Sequence, residues 1–485
     1  MEENRKTTEA LSARKGALAI GLDMGTTHIK ACLTDADGNV LAVSETDNEQ
    51  HATEKYGKCF LPEELFEKAV RCIRQVAREE VCAIGITSMA EAGVFLDASD
   101  RPLLPVIPWS GGRGACLLPP RLLGEALYRK TGLIWHPKYT VNRILTLRKE
   151  EPELYERIRL FLSVSDYILY RLTGTAATDE SLACRTGMYD IESREYWREM
   201  TEYAGMTGKL PRVQKEGEPW PVLSEEGARK LGLSGKISVR VCGHDHLCAA
   251  WGEGLEEGAA LNSMGTSEVY TGWLDDLRLN RDFYERGIQQ GRFGGRCYWM
   301  CNLPSSGASV EWFRGLLSFT GEEKISYERL LSEKGKRPSP VLYFPFINGV
   351  GTHRNPELSR MGGFLGIGPE TGRGELLQAI YEGIAMESRW ILDRLEEAGI
   401  RTETIRTVGG GTKNRQLMQA KADITGRSWL ISSLTQATAA GAAMLAAGFP
   451  AQEKRKGTPV SADGSLREAY EEKYRTYRQQ IAEWR

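Results

Sequence analysis

The sequence predicts an α/β protein built from two similar halves flanking a cleft, and three observations carry that prediction. Strand-like and helical segments alternate along the whole chain, which argues against an all-helical or all-β architecture. A Gly-Thr-hydroxyl turn follows an apolar strand twice, at Gly25-Thr26-Thr27 and again about half a chain later at Gly265-Thr266-Ser267. At 485 residues the chain exceeds one ordinary core, so two domains of about 200 to 250 residues are expected.

In the first half, the apolar run Ala17 to Leu22 reads as a buried strand that Asp23 ends. Gly25 then permits a tight turn, and Thr26 and Thr27 offer hydroxyls and backbone N–H groups. The chain returns as a strand from Ile29 to Leu33, turns through the glycine-containing hairpin signal of residues 35–39, and continues as a third strand, Val40 to Val43. Residues 63–80 carry a helical pattern and Val81 to Ile86 a buried strand. Residues 143–172 hold two helical patterns separated near Phe161, and the stretch from 205 to 236 is turn-rich and charged. Ile237 to Val241 is a strand ending in Cys242, Gly243, His244, Asp245 and His246. A boundary between Gly252 and Gly258 divides the chain into 1–254 and 255–485.

The second half repeats the opening: Ala259 to Met264 as strand, Gly265 to Ser267 as turn, Val269 to Trp273 as return. An exposed loop is expected from Ser332 to Pro340. The strand-like Ile405 to Val408 leads into Gly409, Gly410 and Gly411. Ala437 to Ala447, rich in Ala and Gly, reads as a tightly packed buried helix close to that glycine loop. Tyr470, Tyr474, Tyr477, Ile481 and Trp484 fall at helical spacing, so an amphipathic helix docks at the end of the chain by an aromatic stripe.

Composition excludes several classes of function. Lys plus Arg number 63 against 65 Asp plus Glu, a net charge of −2, which offers no basic footprint for nucleic acid. Residues 1–16 are polar, and the apolar run after them is too short for a secretion signal. The most apolar later stretch, Ala437 to Phe449, falls well short of the roughly 20 residues a membrane span needs. A cytoplasmic protein with a small-molecule ligand is expected, with no membrane partner; a homodimer is compatible with the sequence and not required by it. The ten cysteines include no Cys-x-x-Cys pair, so free buried thiols in a reducing compartment fit best.

The chemistry concentrates at the two turns and at the Gly-His-Asp-His run. Neither turn ends in Gly-Lys-Ser/Thr or opens a dinucleotide-type helix; an Asp at a strand end beside such a turn points instead at a polyphosphate and its metal. In the run at 243–246, alternate residues of an extended chain put His244 and His246 on one side and Asp245 on the other. Two histidines make a metal site only with a third ligand, and His28, His51, His136 and His353 show no ligand spacing. The alternative is Asp245 as a general base, ionised at pH 7 and able to take a proton from an attacking alcohol.

At this point the sequence resembles the FGGY family of carbohydrate kinases, within the actin, Hsp70 and sugar-kinase superfamily, over nearly its whole length. The most specific match is Gly362 to Ile367, seven further residues, then Glu375 to Glu382, which meets the family's C-terminal signature position by position. Asp23 to Thr27, the Gly-x-Asp turn at Asp245, Met264 to Ser267, Ser306 to Trp312 and Gly409 to Asn414 match further family segments. The resemblance implies two actin-like (ribonuclease H-like) domains and transfer of a phosphoryl group from ATP, assisted by Mg²⁺, to a sugar hydroxyl. It implies Asp245 as the base, Asp23 holding the metal through water, and Gly25, Thr26, Thr27, Gly265, Thr266, Ser267, Gly307, Gly409, Gly410, Gly411 and Asn414 on the nucleotide. The first half would then carry the sugar and the second the nucleotide.

Departures fall on the acceptor side. Where family members commonly read Trp-Asn-Asp-x-Arg, this chain reads Trp109-Ser-Gly-Gly-Arg113, with Gly111 in place of the acid. Trp109 and Arg113 stay as expected substrate contacts. The region often written Gly-Gln-Met-His-Gly reads Ser88 to Gly93 here; Met89 is expected at the substrate, and Glu91 either supplies the missing carboxylate or lies in an exposed loop. His246 stands where the family more often has Gln and either donates to a sugar oxygen or caps the turn. The expectation is a xylulokinase-like enzyme with an atypical substrate segment, a pentulose such as xylulose being the first acceptor to consider. Fuculose, gluconate or a polyol as acceptor, and a kinase-fold regulatory protein with little transfer activity, are the alternatives; a filament or chaperone ATPase conflicts with the C-terminal signature.

Overall fold

The computed structural model describes residues 16–111, 116–318, 324–353, 362–450 and 455–484, and two large sheets organise them. The first has the spatial order Ser238–His244, Val81–Ser88, Leu18–Met24, His28–Thr34, Val40–Asp47. The second has the order Gln289–Phe293, Arg296–Leu303, Glu268–Leu274, Ala259–Met264, Thr404–Val408, Ser428–Ser432, Gly457–Val460. Each contains one shared plan. Three strands form an antiparallel meander, and the first of them pairs in parallel with a later strand, which pairs in parallel with a later one still. The repeated turn chemistry of the sequence reflects this repeated sheet order.

Period-two alternation gives the first sheet two unlike faces. Ile20, Leu22, Met24, Ile84 and Ile86 join one apolar cluster with Leu65, Phe66 and Ile73 of the helix Pro62–Val76 and Ile168 of the helix Val164–Thr173. Their neighbours Ala19, Gly21, Ala83 and Gly85 face the other way and carry almost no side chain. On that bare face lies the helix Ala437–Ala447, contributed by the second half of the chain. A Cβ on Gly21 would lie 1.7 Å from the Ala439 carbonyl oxygen, and one on Gly85 2.0 Å from that of Ala442. On its next side the same helix meets Asp245–Gly252, where a Cβ on Gly441 would come within 1.8 Å of the Cys248 carbonyl oxygen. The helix is buried, as its composition requires, but it bridges the two halves rather than lying simply against the glycine loop at 409–411. Only a stripe of Ala and Gly fits a face made of Ala and Gly.

Several boundaries differ from expectation for identifiable reasons. The first strand runs through Asp23 to Met24, because parallel pairing with Val81–Ser88 continues to the Met24–Ser88 pair; Asp23 lies inside the strand instead of ending it. Phe161 sits in a short strand, Leu160–Ser163, between the helices Pro152–Glu156 and Val164–Thr173. The turn-rich 205–236 region contains the helix Glu225–Leu231, capped by the Ser224 hydroxyl. Within the loop 332–340, Ser339 is buried and donates its N–H to both oxygens of Glu382 at 3.1 Å.

The C-terminal helix spans Arg467–Glu483, with Tyr470, Tyr474, Tyr477 and Ile481 buried as the stripe predicts. Its docking is polar as well as apolar: Lys473 Nζ and Tyr470 Oη both reach Glu382, and Tyr477 Oη donates to Glu387 at 2.6 Å. Glu382, the last residue of the C-terminal signature, therefore anchors the final helix. A second buried network joins Glu268 to Lys421 Nζ at 2.6 Å, both side chains wholly inaccessible, with Asn262, Tyr270 and Ser306 completing the carboxylate's partners.

Two stability outcomes follow. Gly441→Ala gains about 1 kcal/mol of helix propensity but meets backbone at a distance no packing tolerates, a cost at the top of the 1–3 kcal/mol overpacking range; denaturant unfolding is expected to show a net loss of about 2 kcal/mol. Lys421→Met strands a buried carboxylate and is expected to lower stability by about 3–5 kcal/mol, read by the same unfolding measurement.

Candidate active site

Three parallel strands end together at one edge of the first sheet. Met24 lies beside Ser88, and Ser88 beside His244, so their carboxyl ends deliver Asp23, the 25–27 turn, Met89 to Glu91 and Asp245 to one place. Ligands of open parallel sheets bind at such ends. Alternation puts the Asp23 side chain on the face of Gly21, toward the bridging helix. Its Oδ1 is buried with no hydrogen-bond partner. Burial, reinforced by the charge of Asp245 and opposed by Lys30, pushes the Asp23 carboxyl up to about 8. An orphaned buried carboxylate oxygen near a second carboxylate is the donor chemistry of a hard divalent cation, so these residues fit Mg²⁺. The turn beside it is held by Asn48, which the sequence reading passed over: Asn48 Nδ2 donates to the Gly25 carbonyl and its N–H to that of Thr27, both at 2.8 Å. Thr26 Oγ1 lies 3.5 Å from Met89 Sδ, and Met89 is almost fully buried.

Asp245 is the first residue of the helix Asp245–Gly252, not the end of an extended strand. Gly243 makes the break with φ of 85°, a conformation that favours glycine. A Cβ there would also meet Asp179 Oδ1 at 2.4 Å. The break is pinned from three sides: Thr87 Oγ1 donates to the Gly243 carbonyl at 2.7 Å, the His244 N–H to Ser181 Oγ at 3.0 Å, and Ser181 Oγ to Asp179 Oδ1 at 2.5 Å. The strand-to-helix transition also cancels the expected opposition of Asp245 to its neighbours. His244 Nδ1 lies 3.5 Å and His246 Nε2 3.7 Å from Asp245 Oδ1, which also accepts the His246 N–H at 2.7 Å. Burial pushes the His244 imidazole well below the usual histidine range, so it is neutral at pH 7.

Glu91 is buried, not in an exposed loop, and adopts φ of 62°. Its Oε1 lies 2.8 Å from Arg185 Nε and 3.3 Å from Lys138 Nζ. Burial opposes ionisation, but the charges of Arg185 and Lys138 outweigh it and hold the carboxyl below the usual range. Arg185 in turn donates to Gln289 Oε1 at 2.9 Å, as does Tyr139 Oη at 3.1 Å, so a strand of the second half braces this cluster. Lys138, Arg185 and Gln289 stand in no local motif and were invisible to sequence reading. Trp109 is half-buried in a 3-10 turn, Trp109–Gly111, whose approach is clamped by Arg143 donating to the carbonyls of Ile107 and Pro108. A Cβ on Gly111 would fall 2.8 Å from Ile107 Cγ2, so a side chain at this position would require Ile107 to shift. Arg113 lies outside the described residues.

At the second sheet, Ala259–Met264 and Thr404–Val408 run parallel and end at Gly265 and Gly409. The turns at their ends stack on one another. The N–H groups of Gly307 and Ala308 donate to the carbonyls of Gly265 and Thr266 at 3.2 and 2.9 Å. A Cβ on Gly307 would meet Gly265 O at 2.4 Å, and one on Gly409 would meet Met264 O at 2.3 Å. These glycines are therefore required by loop-on-loop packing, while Gly410 opens onto free space. Ser267 closes the turn, its carbonyl accepting the Gly265 N–H at 2.9 Å. Glu268, next along, carries the buried Lys421 network beneath the turn. The Gly411 segment ends at Asn414, whose Oδ1 caps the helix Arg415–Thr425.

A duplicated sheet with strand-end turns and carboxylates at the junction of its halves is the plan of an actin-like, two-domain phosphotransferase. The chain belongs to the FGGY family of carbohydrate kinases: the family's N-terminal domain matches residues 18–252 and its C-terminal domain residues 260–448. It is an ATP-dependent sugar kinase. A xylulose kinase of Lactococcus lactis is 27% identical over 446 residues, covering 88% of this chain and 87% of the relative. A glycerol kinase of Thermococcus gammatolerans is 28% identical over 442 residues, covering 88% of each. The crystal structure of xylulose kinase from Rhodospirillum rubrum superposes with a TM-score of 0.80 at 21% identity, over 96% of this chain and 98% of that one. No helix among the described residues is long and apolar enough to cross a membrane.

The raised Asp23 gives a pH signature. Its folded value lies above the ordinary one, so its contribution to stability is complete below about pH 4 and is lost as pH rises through about 8. Asp23→Asn removes the titration. Without metal or nucleotide, thermal melts are expected to show the variant gaining on the wild type between pH 5 and pH 8.

Proposed function

We propose that the protein phosphorylates a hydroxyl of a small sugar, with a pentulose such as xylulose as the first acceptor to test. Asp245 is the general base: it takes the proton of the acceptor hydroxyl as that oxygen attacks the γ-phosphorus of ATP in line with the departing ADP oxygen. The observation that carries this reading is the placement of Asp23 and Asp245 at adjoining parallel strand ends, one with a buried, unpartnered carboxylate oxygen and the other at a helix start. Asp23 is the group that would hold Mg²⁺ through water, and the ion would supply positive charge to the phosphate oxygens. Backbone N–H groups around Gly25, Thr26, Thr27, Gly265, Thr266 and Ser267 stabilise charge on the transferred group. Gly307, Gly409, Gly410, Gly411 and Asn414 form the nucleotide side. Met89, Glu91, Trp109 and His246 form the acceptor side, with Glu91 standing in for the acid absent at Gly111 and its ion pairs with Arg185 and Lys138 fixing its position.

On this reading residues 1–254 carry the acceptor and the base, and residues 255–485 carry the nucleotide. The xylulose kinase relatives, at 26–28% identity over most of the chain, support a ketose. A reducing, cytoplasmic setting goes with it, since eight of the ten cysteines are buried and no disulfide links them.

The test is ATP consumption with Mg²⁺ across ketoses, aldoses, polyols and sugar acids, repeated with Asp245→Asn. One acceptor should stand out, and the variant should turn it over about 10²- to 10⁴-fold more slowly while binding nucleotide normally. Near-normal turnover in the variant removes Asp245 from the role of base.

A further inference from the structure

We infer that His244, Asp245 and His246 form a binding site for one transition-metal ion of the Zn²⁺ type, adjoining the Mg²⁺ donor set at Asp23 and sharing its Asp245 carboxylate. Three neighbouring residues rarely aim at one point, since on a regular strand or helix they diverge. Here the break at Gly243 turns strand into helix between the first and second of them. One ligand atom from each of the three lies within 4.8 Å of the others. The two imidazole nitrogens stand 3.5 and 3.7 Å from Asp245 Oδ1. A tetrahedral zinc with bonds of about 2.0–2.1 Å separates its ligand atoms by roughly 3.3–3.4 Å, so small side-chain movements close the set.

A second observation points to a ligand independently. His244 is 5% exposed, and its Nδ1 has no hydrogen-bond partner. A buried polar nitrogen left unpaired costs free energy, and a metal at this point satisfies it. The donor set of two nitrogens and one oxygen discriminates between ions: imidazole suits zinc, cobalt, nickel and copper, whereas magnesium takes oxygen ligands. The His244 backbone is anchored through its N–H to Ser181 and on to Asp179, so much of the set is held before any ion arrives. An ion bound here engages the carboxylate proposed as the base.

The binding test needs no substrate and so stands apart from the kinase reading. Full-length protein without nucleotide is titrated with Zn²⁺ by calorimetry and with Co²⁺ by visible absorption. The expected result is one tight ion per chain, cobalt d–d bands without thiolate charge transfer, and binding weakened at least ~10-fold in His246→Gln. Zinc-edge X-ray absorption of the unmodified protein, which depends on no variant, should read imidazole and oxygen neighbours and no sulfur. Absence of tight binding, sulfur in the coordination shell, or undiminished affinity in a folded His246→Gln overturns the site. In the kinase assay with saturating Mg²⁺, the zinc-loaded wild type should lose turnover; retained turnover overturns the placement of the ion on Asp245.

Discussion

The arrangement rests on a backbone-to-backbone contact: the helix Ala437–Ala447 lies against the first sheet with no side chain between Gly21 and Ala439 or between Gly85 and Ala442. At this separation the contact gains dispersion over a continuous surface and tolerates no added methyl group. It joins halves that share no sheet. The same helix presses on Asp245–Gly252, the helix that begins with the proposed base. Arg240 and Cys242, from the strand leading to that base, donate to the carbonyls of Leu445 and Ala442. The position of Asp245 is therefore set from the second half of the chain as much as from the first.

Electrostatics at the strand ends follows from that geometry. Asp23 is on the side of its strand facing the junction, with one carboxylate oxygen buried and unpartnered, and its neighbour there is another carboxylate. Burial and that neighbouring charge push the Asp23 carboxyl up to about 8, and a divalent cation would offset both. Glu91 solves the same problem differently, with Arg185 and Lys138 as built-in counter-ions, so it stays charged without a ligand. Asp23 and Glu91 are thus given unlike states by what faces them.

Local and periodic features were legible in the sequence. The strand at Ala259–Met264 lies where its apolar run places it, and the aromatic stripe from Tyr470 onward is buried as its spacing requires. The paired turns also emerge, with the first strand running on past Asp23, because apolar runs and glycine turns are encoded within a few residues. What escaped depended on distant partners. Nothing near Glu91 announces Arg185, and nothing near Arg185 announces Gln289. The strand-to-helix break at Gly243 needed knowledge of Asp179 and Ser181, and without it Asp245 was aimed to the wrong side of its neighbours. The stacking that ties Gly409 to Met264 was likewise not legible from its own segment.

The bridging helix has a consequence for the order in which the molecule comes into being. The first sheet is complete in sequence by His244, yet one of its faces is covered by residues that follow nearly two hundred positions later. During synthesis that bare Ala and Gly face must wait, and it offers passing hydrophobic surfaces little to hold, since its side chains are too small to make a sticky patch. Smallness thus serves assembly as well as fit: an unfinished half can remain in water until the closing helix leaves the ribosome.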